Sequence, residues 1–196
     1  MPFTSLKSFQ TGMTNLLSRV FEGVPIEKEW TAIRNVPGLY SPRIDIAVGP
    51  FSTERGRNKI AEYNEMFNAY DTLIDGLIQY HMITFRNYQD DRLQDTIRHS
   101  FPTATSLCRF NQNARCFIAV EIENQVTRKH LLGGTVNASV LSRIGILVPW
   151  AIEKARAMIR LMQYWDFLRY VEKNTFNAEN VLVIMPTQLE EALANI

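Results

Sequence analysis

The sequence predicts an α/β fold in which a central mixed β-sheet is flanked by helices. Segments with helical periodicity alternate along the chain with short apolar runs that have the length of strands. The runs at 144–148 and 181–185 are continuously apolar, as expected of strands that are buried on both faces. In the run at 116–123, by contrast, Ile118, Val120 and Ile122 fall on one face and both glutamates on the other, which is typical of a strand with one face in the core. The predicted order of elements is αβα(x)βαβαβ(α), where x is a segment without clear periodicity.

Composition limits what this protein can be. The 196 residues, 1–196, contain neither a repeat nor a linker, so we expect a single domain. Lysine and arginine total 21 against 20 aspartate and glutamate, and the net charge of +1 excludes a protein that holds nucleic acid by bulk positive charge. Cys108 and Cys116 are the only cysteines, which excludes a disulfide framework and a zinc site of four thiolates. Because we find no signal-peptide core and no run of about 18 apolar residues, we expect a soluble, cytoplasmic protein.

The first half of the chain is predicted to form two helices around one short strand. Apolar residues recur at three- and four-residue steps over 5–21, which predicts a helix with one buried face. Two prolines in 36–42 indicate turns, and these lead into an alternating strand at 43–48. A longer amphipathic pattern predicts a single helix over 54–85, which Gly76 weakens without breaking.

The second half alternates strand and helix after a segment of poor periodicity at 86–115. Gly133 and Gly134 are expected to let their helix lie close against the sheet. The predicted elements are a strand at 116–123, a helix over 127–141, a strand at 144–148, a helix over 151–171 and a strand at 181–185.

Acidic residues on two of the predicted strands bear most directly on chemistry. Glu121 and Glu123 share one face of their strand, and Asp45 takes the same kind of position on the earlier strand. A carboxylate among apolar strand residues needs a partner or a solvated cleft. If the two strands are neighbours, the three carboxylates converge and offer the oxygen ligands that Mg²⁺ binds together with water and a substrate phosphate. The metal would lower the pKa of a bound water, which Glu121 or Glu123 would position or deprotonate.

The polar residues that follow this strand are candidates for substrate contact. Arg128 and Lys129 stand at the start of the next predicted helix, where a cation could reach a scissile phosphate. Asn124 and His130 lie beside them, although a histidine in such a place is more often a packed or capping residue. The simpler interpretation of the whole set is a solvated sheet face whose acids pair with nearby arginines.

Two short motifs resemble the PD-(D/E)XK nuclease superfamily. They are Ser41-Pro-Arg-Ile-Asp45 and Val120-Glu-Ile-Glu-Asn124, followed by a helix and two buried strands. In that superfamily an Asp at the end of one strand and an acidic-x-Lys on the next bind Mg²⁺ and cleave DNA. The resemblance makes Asp45 the first acid and Glu121 the second, with Glu123 where the usual Lys stands, as in an ExE variant found among restriction endonucleases.

The spacing of the motifs departs from the superfamily pattern. The 76 positions that separate Asp45 from Glu121 exceed the short hairpin usual there. Either a helical segment at about 54–100 is inserted between two strands of a restriction-endonuclease-like core, or Asp45 is not the first acid. In the second case Glu54 and Glu65 are the fallback ligands.

The resemblance implies an endonuclease that depends on Mg²⁺ or Mn²⁺ and acts on DNA. Asp45, Glu121 and Glu123 would be its metal ligands, and Lys129 would supply the absent cation as a catalytic phosphate contact. A homodimer is a further expectation, because many nucleases that make double-strand cuts use one active site for each strand.

Two other functions stay open at this point. The absent lysine and the near-neutral charge fit a catalytically inactive nuclease-like module that binds a protein or a nucleic acid. The aromatic, methionine-rich helix over 152–170 fits a subunit whose main role is assembly. The sequence indicates no target sequence and no preference between DNA and RNA.

Overall fold

A computed structural model describes residues 5–33, 38, 40–53, 57–90, 92, 98–124, 127–173 and 176–196. Within these residues a five-stranded mixed sheet lies between helices, which confirms the predicted fold class. None of the helices so described is both long and apolar enough to span a membrane. The elements are α1 (Leu6–Val20), β1 (Ile26–Thr31), β2 (Arg43–Val48), α2 (Ile60–Ala69), α3 (Asp71–Tyr88), α4 (Ala104–Arg109), β3 (Cys116–Glu123), α5 (Arg128–Leu141), β4 (Ser142–Pro149), α6 (Ile152–Tyr170), β5 (Val181–Val183) and α7 (Pro186–Ala194).

The strands lie across the sheet in the order in which they occur along the chain. β1, β2 and β3 are antiparallel neighbours, whereas β4 runs parallel to β3 and β5 parallel to β4. Parallel neighbours need a crossover connection, and α5 and α6 provide the two that this sheet requires. In contrast, α2, α3 and α4 all lie in the chain between β2 and β3, so a helical segment separates two strands that are adjacent in space.

Apolar side chains pack against both faces of the sheet. One cluster joins it to α1, α2, α3 and α7, with Phe9 and Phe117 among its fully buried members. The other joins it to α5 and α6 and includes Ala119 and Met158. Because both faces are covered, β4 is buried along its whole length, as its continuous apolar run predicts.

The close approach of α5 to the sheet depends on a glycine of the strand. A Cβ atom at Gly145 of β4 would lie 3.0 Å from the Cβ of Ala138 and 3.1 Å from its carbonyl carbon. A Cβ at Gly133 or Gly134 would meet nothing within 4 Å. The expectation that these two glycines bring the helix to the sheet is therefore wrong, since the contact is made further along the helix.

Two boundaries differ from the sequence prediction. The helix predicted over 54–85 is divided into α2 and α3 at Tyr70, whose φ of −119° and ψ of 29° lie outside the helical range. The Tyr70 ring packs on Phe21 at the end of α1, with 4.4 Å between ring centroids, so a tertiary contact accompanies the break. The structure also contains β1, which the sequence does not predict, and α4, which begins at a capping box between Thr103 and Ser106.

Some sequence predictions fall where the structure gives no description. The turns predicted over 36–42 lie mostly outside the described residues, and so does Glu54. The side chain of Arg128 is likewise outside them, although its backbone begins α5.

A buried asparagine joins the end of α5 to the loop before β5. The Asn180 side chain is fully buried and its Nδ2 donates to the carbonyl oxygens of Ser139 and Ser142, each at 3.0 Å. Its Oδ1 accepts from the Ser139 hydroxyl at 2.8 Å. These bonds satisfy carbonyl groups at the carboxyl end of a helix, where no intrahelical donor reaches them.

Replacement of Asn180 by Ala is expected to lower the free energy of unfolding by about 2 kcal/mol, because three hydrogen bonds of a fully buried amide are lost, although Asn111 Nδ2 still donates to the carbonyl oxygens of Ser139 and Ser142. For a chain of this length that corresponds to a fall in Tm of about 4–8 °C, measured by thermal denaturation. The exposed Asn177 is the matched control, and Asn177→Ala should change stability by less than about 1 kcal/mol. Equal losses in the two variants would contradict a special role of the buried amide.

Candidate functional site

Asp45 and Glu121 lie opposite each other on neighbouring strands. The antiparallel ladder pairs Val48 with Ile118 and Ile46 with Val120. The next position on each strand beyond the last pair is Asp45 on β2 and Glu121 on β3. The structure therefore meets the condition on which the sequence argument depended, namely that the two acid-bearing strands are adjacent.

Beyond the end of this ladder, the two carboxylates accept hydrogen bonds from backbone N–H groups of the opposite strand. Asp45 Oδ2 accepts the backbone N–H of Ile122 at 2.7 Å. The Glu121 carboxylate in turn accepts from the backbone N–H of Asp45. Each acid is thus bonded to the backbone of the opposite strand, which holds both carboxylates in the gap between the strands.

Two more carboxylates face this pair. Glu123 follows on β3, and the ladder between β1 and β2 places Glu29 opposite Asp45. Both of these charges raise the pKa of Asp45 and of Glu121. Sequence reasoning missed Glu29 because it lies on the unpredicted strand β1, where its backbone takes a left-handed φ of 51°.

Glu29 has cationic and amide partners that separate it from the other acids. Arg43 Nε lies 2.8 Å from Glu29 Oε2, and Gln10 Nε2 of α1 donates to Glu29 Oε1 at 2.9 Å. The same Gln10 nitrogen lies 2.9 Å from the carbonyl oxygen of Asp45 and also donates to it. Helix α1 therefore fixes both strands beside the carboxylate pair.

Burial and mutual repulsion both act on the pair. Burial is the largest cause of the raised pKa of Asp45, and the hydrogen bond from Ile122 opposes it. The pKa of Glu121 lies well above its usual value, first through burial and then through the charges of Asp45 and Glu123. Neighbouring carboxylates perturbed in this way are typical of functional sites, because structural stability gains nothing from them. A cation bound between them would relieve the repulsion.

The two carboxylates suit a hard divalent cation, but they do not form a site in which the protein supplies every ligand. Among the described residues, no three His, Cys, Asp or Glu side chains are placed so that they could hold one ion. Asp45 also commits one of its oxygens to Ile122. Mg²⁺ is usually bound by one or two carboxylates, with water and substrate oxygens in the remaining positions. Asp45 and Glu121 could hold it in that way.

No family of known proteins, no curated protein and no solved structure matches this chain.

The other predicted site residues lie on α5, directly after β3 and on α2. Lys129 and His130 are exposed in the first turn of α5, and Asn124 is exposed directly after β3. Within the described part of the chain, no ion pair joins Lys129 to these carboxylates. Glu65, a fallback ligand, is exposed on α2 and borders a groove with Pro25 and Pro50. That groove lies beyond the Ile26–Val48 end of the ladder between β1 and β2, whereas Asp45 lies further along the ladder, between Ile44 and Ile46.

Replacement of Glu121 by Gln is expected to stabilise the protein, because it removes a half-buried charge that the neighbouring carboxylates repel. At pH 8 we expect the free energy of unfolding to rise by about 1 kcal/mol and Tm by about 2–4 °C. A carboxyl whose pKa is raised on folding stabilises the fold at low pH and loses that contribution as pH rises. The advantage of Glu121→Gln should therefore vanish below about pH 4, where both proteins are uncharged at this position.

Thermal denaturation at pH 4 and pH 8 measures this effect, with Glu65→Gln as the matched control. The control replaces an exposed glutamate and should shift stability by less than about 0.5 kcal/mol at either pH. A Glu121→Gln variant less stable than the parent at pH 8 would contradict the account of the pair.

Proposed function

We propose that this protein is a metal-dependent endonuclease that hydrolyses phosphodiester bonds of DNA. The observation that carries the proposal is the pairing of Asp45 with Glu121 across neighbouring strands, with a raised pKa on both carboxyls. The similarity of their two motifs to the PD-(D/E)XK superfamily supplies the reaction class. These two acids are 76 positions apart in the sequence but lie side by side in space.

The roles of the residues follow from their places around the pair. Asp45 and Glu121 would hold Mg²⁺ or Mn²⁺, which when bound polarises the phosphoryl group and lowers the pKa of a water. Glu123, two positions further along the same strand, is the carboxylate that would accept a proton from the attacking water. Lys129 on the first turn of α5 is the candidate to contact the phosphate, as the cation that the motif itself lacks.

Plasmid cleavage tests this proposal most simply. The parent protein should nick or linearise supercoiled DNA in the presence of Mg²⁺ or Mn²⁺ and not in the presence of a chelator. Loss of a residue that only supports a metal ligand commonly lowers activity by about 10–100-fold, so loss of a ligand should lower it by at least about 100-fold. We expect that loss for both Asp45→Asn and Glu121→Gln, and normal cleavage for Glu65→Gln.

The expected stability of these variants makes a negative result informative. Glu121→Gln is predicted to be more stable than the parent, so lost cleavage cannot be attributed to unfolding. If folded Glu121→Gln cleaves DNA as fast as the parent, the site is assigned incorrectly.

Metal binding should also be visible as a rise in thermal stability. A ligand at 100 times its Kd stabilises the folded state by about 2.7 kcal/mol, if the unfolded chain does not bind it. Titration of Mg²⁺ or Mn²⁺ should therefore raise Tm progressively in the parent protein and leave Asp45→Asn and Glu121→Gln unchanged. An equal rise in the variants would place the metal elsewhere.

A second candidate function is a catalytically inactive nuclease-like module that binds a protein or a nucleic acid. It is favoured by the lack, in the part of the chain that the structure describes, of three ligating side chains around one point. In that case neither metal should raise Tm, and binding of a partner should be unaffected by a chelator.

A further inference from the structure

A second group of buried polar side chains lies at the β5 edge of the sheet. There α3 contributes His81, the segment before α4 contributes His99, and α6 contributes Asp166. His81 is fully buried, and only 10% of the His99 side chain is exposed. Two strand positions separate this edge from the acids on β3, so the group is independent of the proposed nuclease site.

The hydrogen bonds of Asp166 fix the proton on His99. Asp166 Oδ2 lies 2.7 Å from His99 Nδ1, and Asp166 Oδ1 accepts from Arg169 Nη2 at 2.7 Å. Arg169 also pairs with Glu179. A carboxylate held by an arginine is an acceptor, so His99 Nδ1 carries the ring hydrogen and donates it. In the neutral ring, His99 Nε2 is then an acceptor.

The proton on His81 is fixed in the opposite way. The backbone N–H of Val183 on β5 donates to His81 Nδ1 at 3.0 Å. Because a backbone N–H can only donate, Nδ1 must present its lone pair, and the ring hydrogen lies on Nε2. Burial lowers the pKa of His81 to about 3, so the ring is neutral at physiological pH.

The two remaining ring nitrogens form a complementary pair without a partner. Within the described residues, neither His81 Nε2 nor His99 Nε2 has a hydrogen-bond partner, and both atoms are buried. The two histidines line the same cavity, whose volume is about 20 Å³. A cavity needs about 10–15 Å³ to hold one water molecule, and buried polar groups normally have a partner.

We propose that this cavity binds one hydroxyl group, which accepts a hydrogen bond from His81 Nε2 and donates one to His99 Nε2. The volume favours the hydroxyl of a single water molecule, and a small alcohol offers the same chemistry. A transition metal does not fit between the rings, because His81 Nε2 carries the ring hydrogen. Phe85 stacks on His99 with 3.9 Å between ring centroids and holds the ring that receives the hydroxyl proton.

The arrangement would polarise the bound hydroxyl. Asp166 orients His99 and stabilises positive charge on its ring, as in sites where a carboxylate supports a histidine base. His81 Nε2 meanwhile stabilises negative charge on the hydroxyl oxygen. The site therefore holds a hydroxyl whose hydrogen points at a supported base.

Nuclear magnetic resonance of the histidine rings tests the proposal in the whole protein. Long-range ¹H–¹⁵N correlation reports which nitrogen of each ring carries the hydrogen, and the exposed His130 is the internal reference among the three histidines. We expect the hydrogen of His81 on Nε2, that of His99 on Nδ1, and a cross-peak between the His81 Nε2 hydrogen and a bound hydroxyl. The opposite assignment for either ring, or a missing hydroxyl contact, would overturn the proposal.

Variants and an added alcohol extend the test. His81→Leu should abolish the hydroxyl contact while His99 keeps its hydrogen on Nδ1, whereas His130→Leu should change neither. If His81→Leu does not fold, the ring assignments of the parent protein decide the matter. In a titration with methanol, shifts confined to His81 and His99 would identify a site open to small alcohols, and unchanged signals would identify water as the occupant.

Discussion

The antiparallel pairing of β2 with β3 is the contact on which the fold and the candidate site both depend. β3 is also the parallel neighbour of β4, so this pairing joins the antiparallel half of the sheet to the parallel half. The chain leaves the sheet after Val48 and returns to it at Cys116, and the connecting segment contains α2, α3 and α4. The register of three residue pairs then decides which side chains meet beyond the end of the ladder.

That register places like charges together at a cost to stability. Asp45 and Glu121 each accept a backbone N–H from the opposite strand, yet burial and repulsion raise the pKa of both. Arg43 pairs with Glu29 at the exposed side of the cluster, yet the charge of Glu29 still raises the pKa of both acids. Neighbouring carboxylates with raised pKa values occur often at functional sites, and this is the basis of our proposal that a cation binds there.

The histidine group is a second place where polar side chains are buried. His81 and His99 are each fixed by one hydrogen bond, and both residues line the same small cavity. Among the described residues, neither His81 Nε2 nor His99 Nε2 has a hydrogen-bond partner. We propose a cation at the carboxylate pair and a hydroxyl at the two rings.

Most of the elements could be predicted because apolar periodicity reports burial directly. The strands β2 and β3 have the predicted limits, since alternation identifies a strand with one apolar face. β1 could not be recognised because Glu27, Lys28 and Glu29 interrupt its apolar pattern, as charges often do on a strand at the edge of a sheet.

The site was predictable only in part for the same kind of reason. The sequence identifies Asp45, Glu121 and Glu123 by their places on strands. The pairing of β2 with β3, however, is a tertiary contact that no local pattern of residues predicts. Glu29 and Gln10 reach the pair from β1 and α1, and no local pattern marks either residue. His99 lies in the segment without periodicity, and His81 follows the apolar pattern of its helix, so neither indicates a polar cavity.

We propose that Asp45 and Glu121 form a repelling pair that a divalent cation neutralises. Carbon-13 NMR of the side-chain carboxyl groups, titrated with pH in the absence and presence of Mg²⁺, measures both the repulsion and its relief. We expect a raised pKa for both carboxyls in the free protein and a fall in both when Mg²⁺ is added. Ordinary pKa values that do not respond to Mg²⁺ would contradict it.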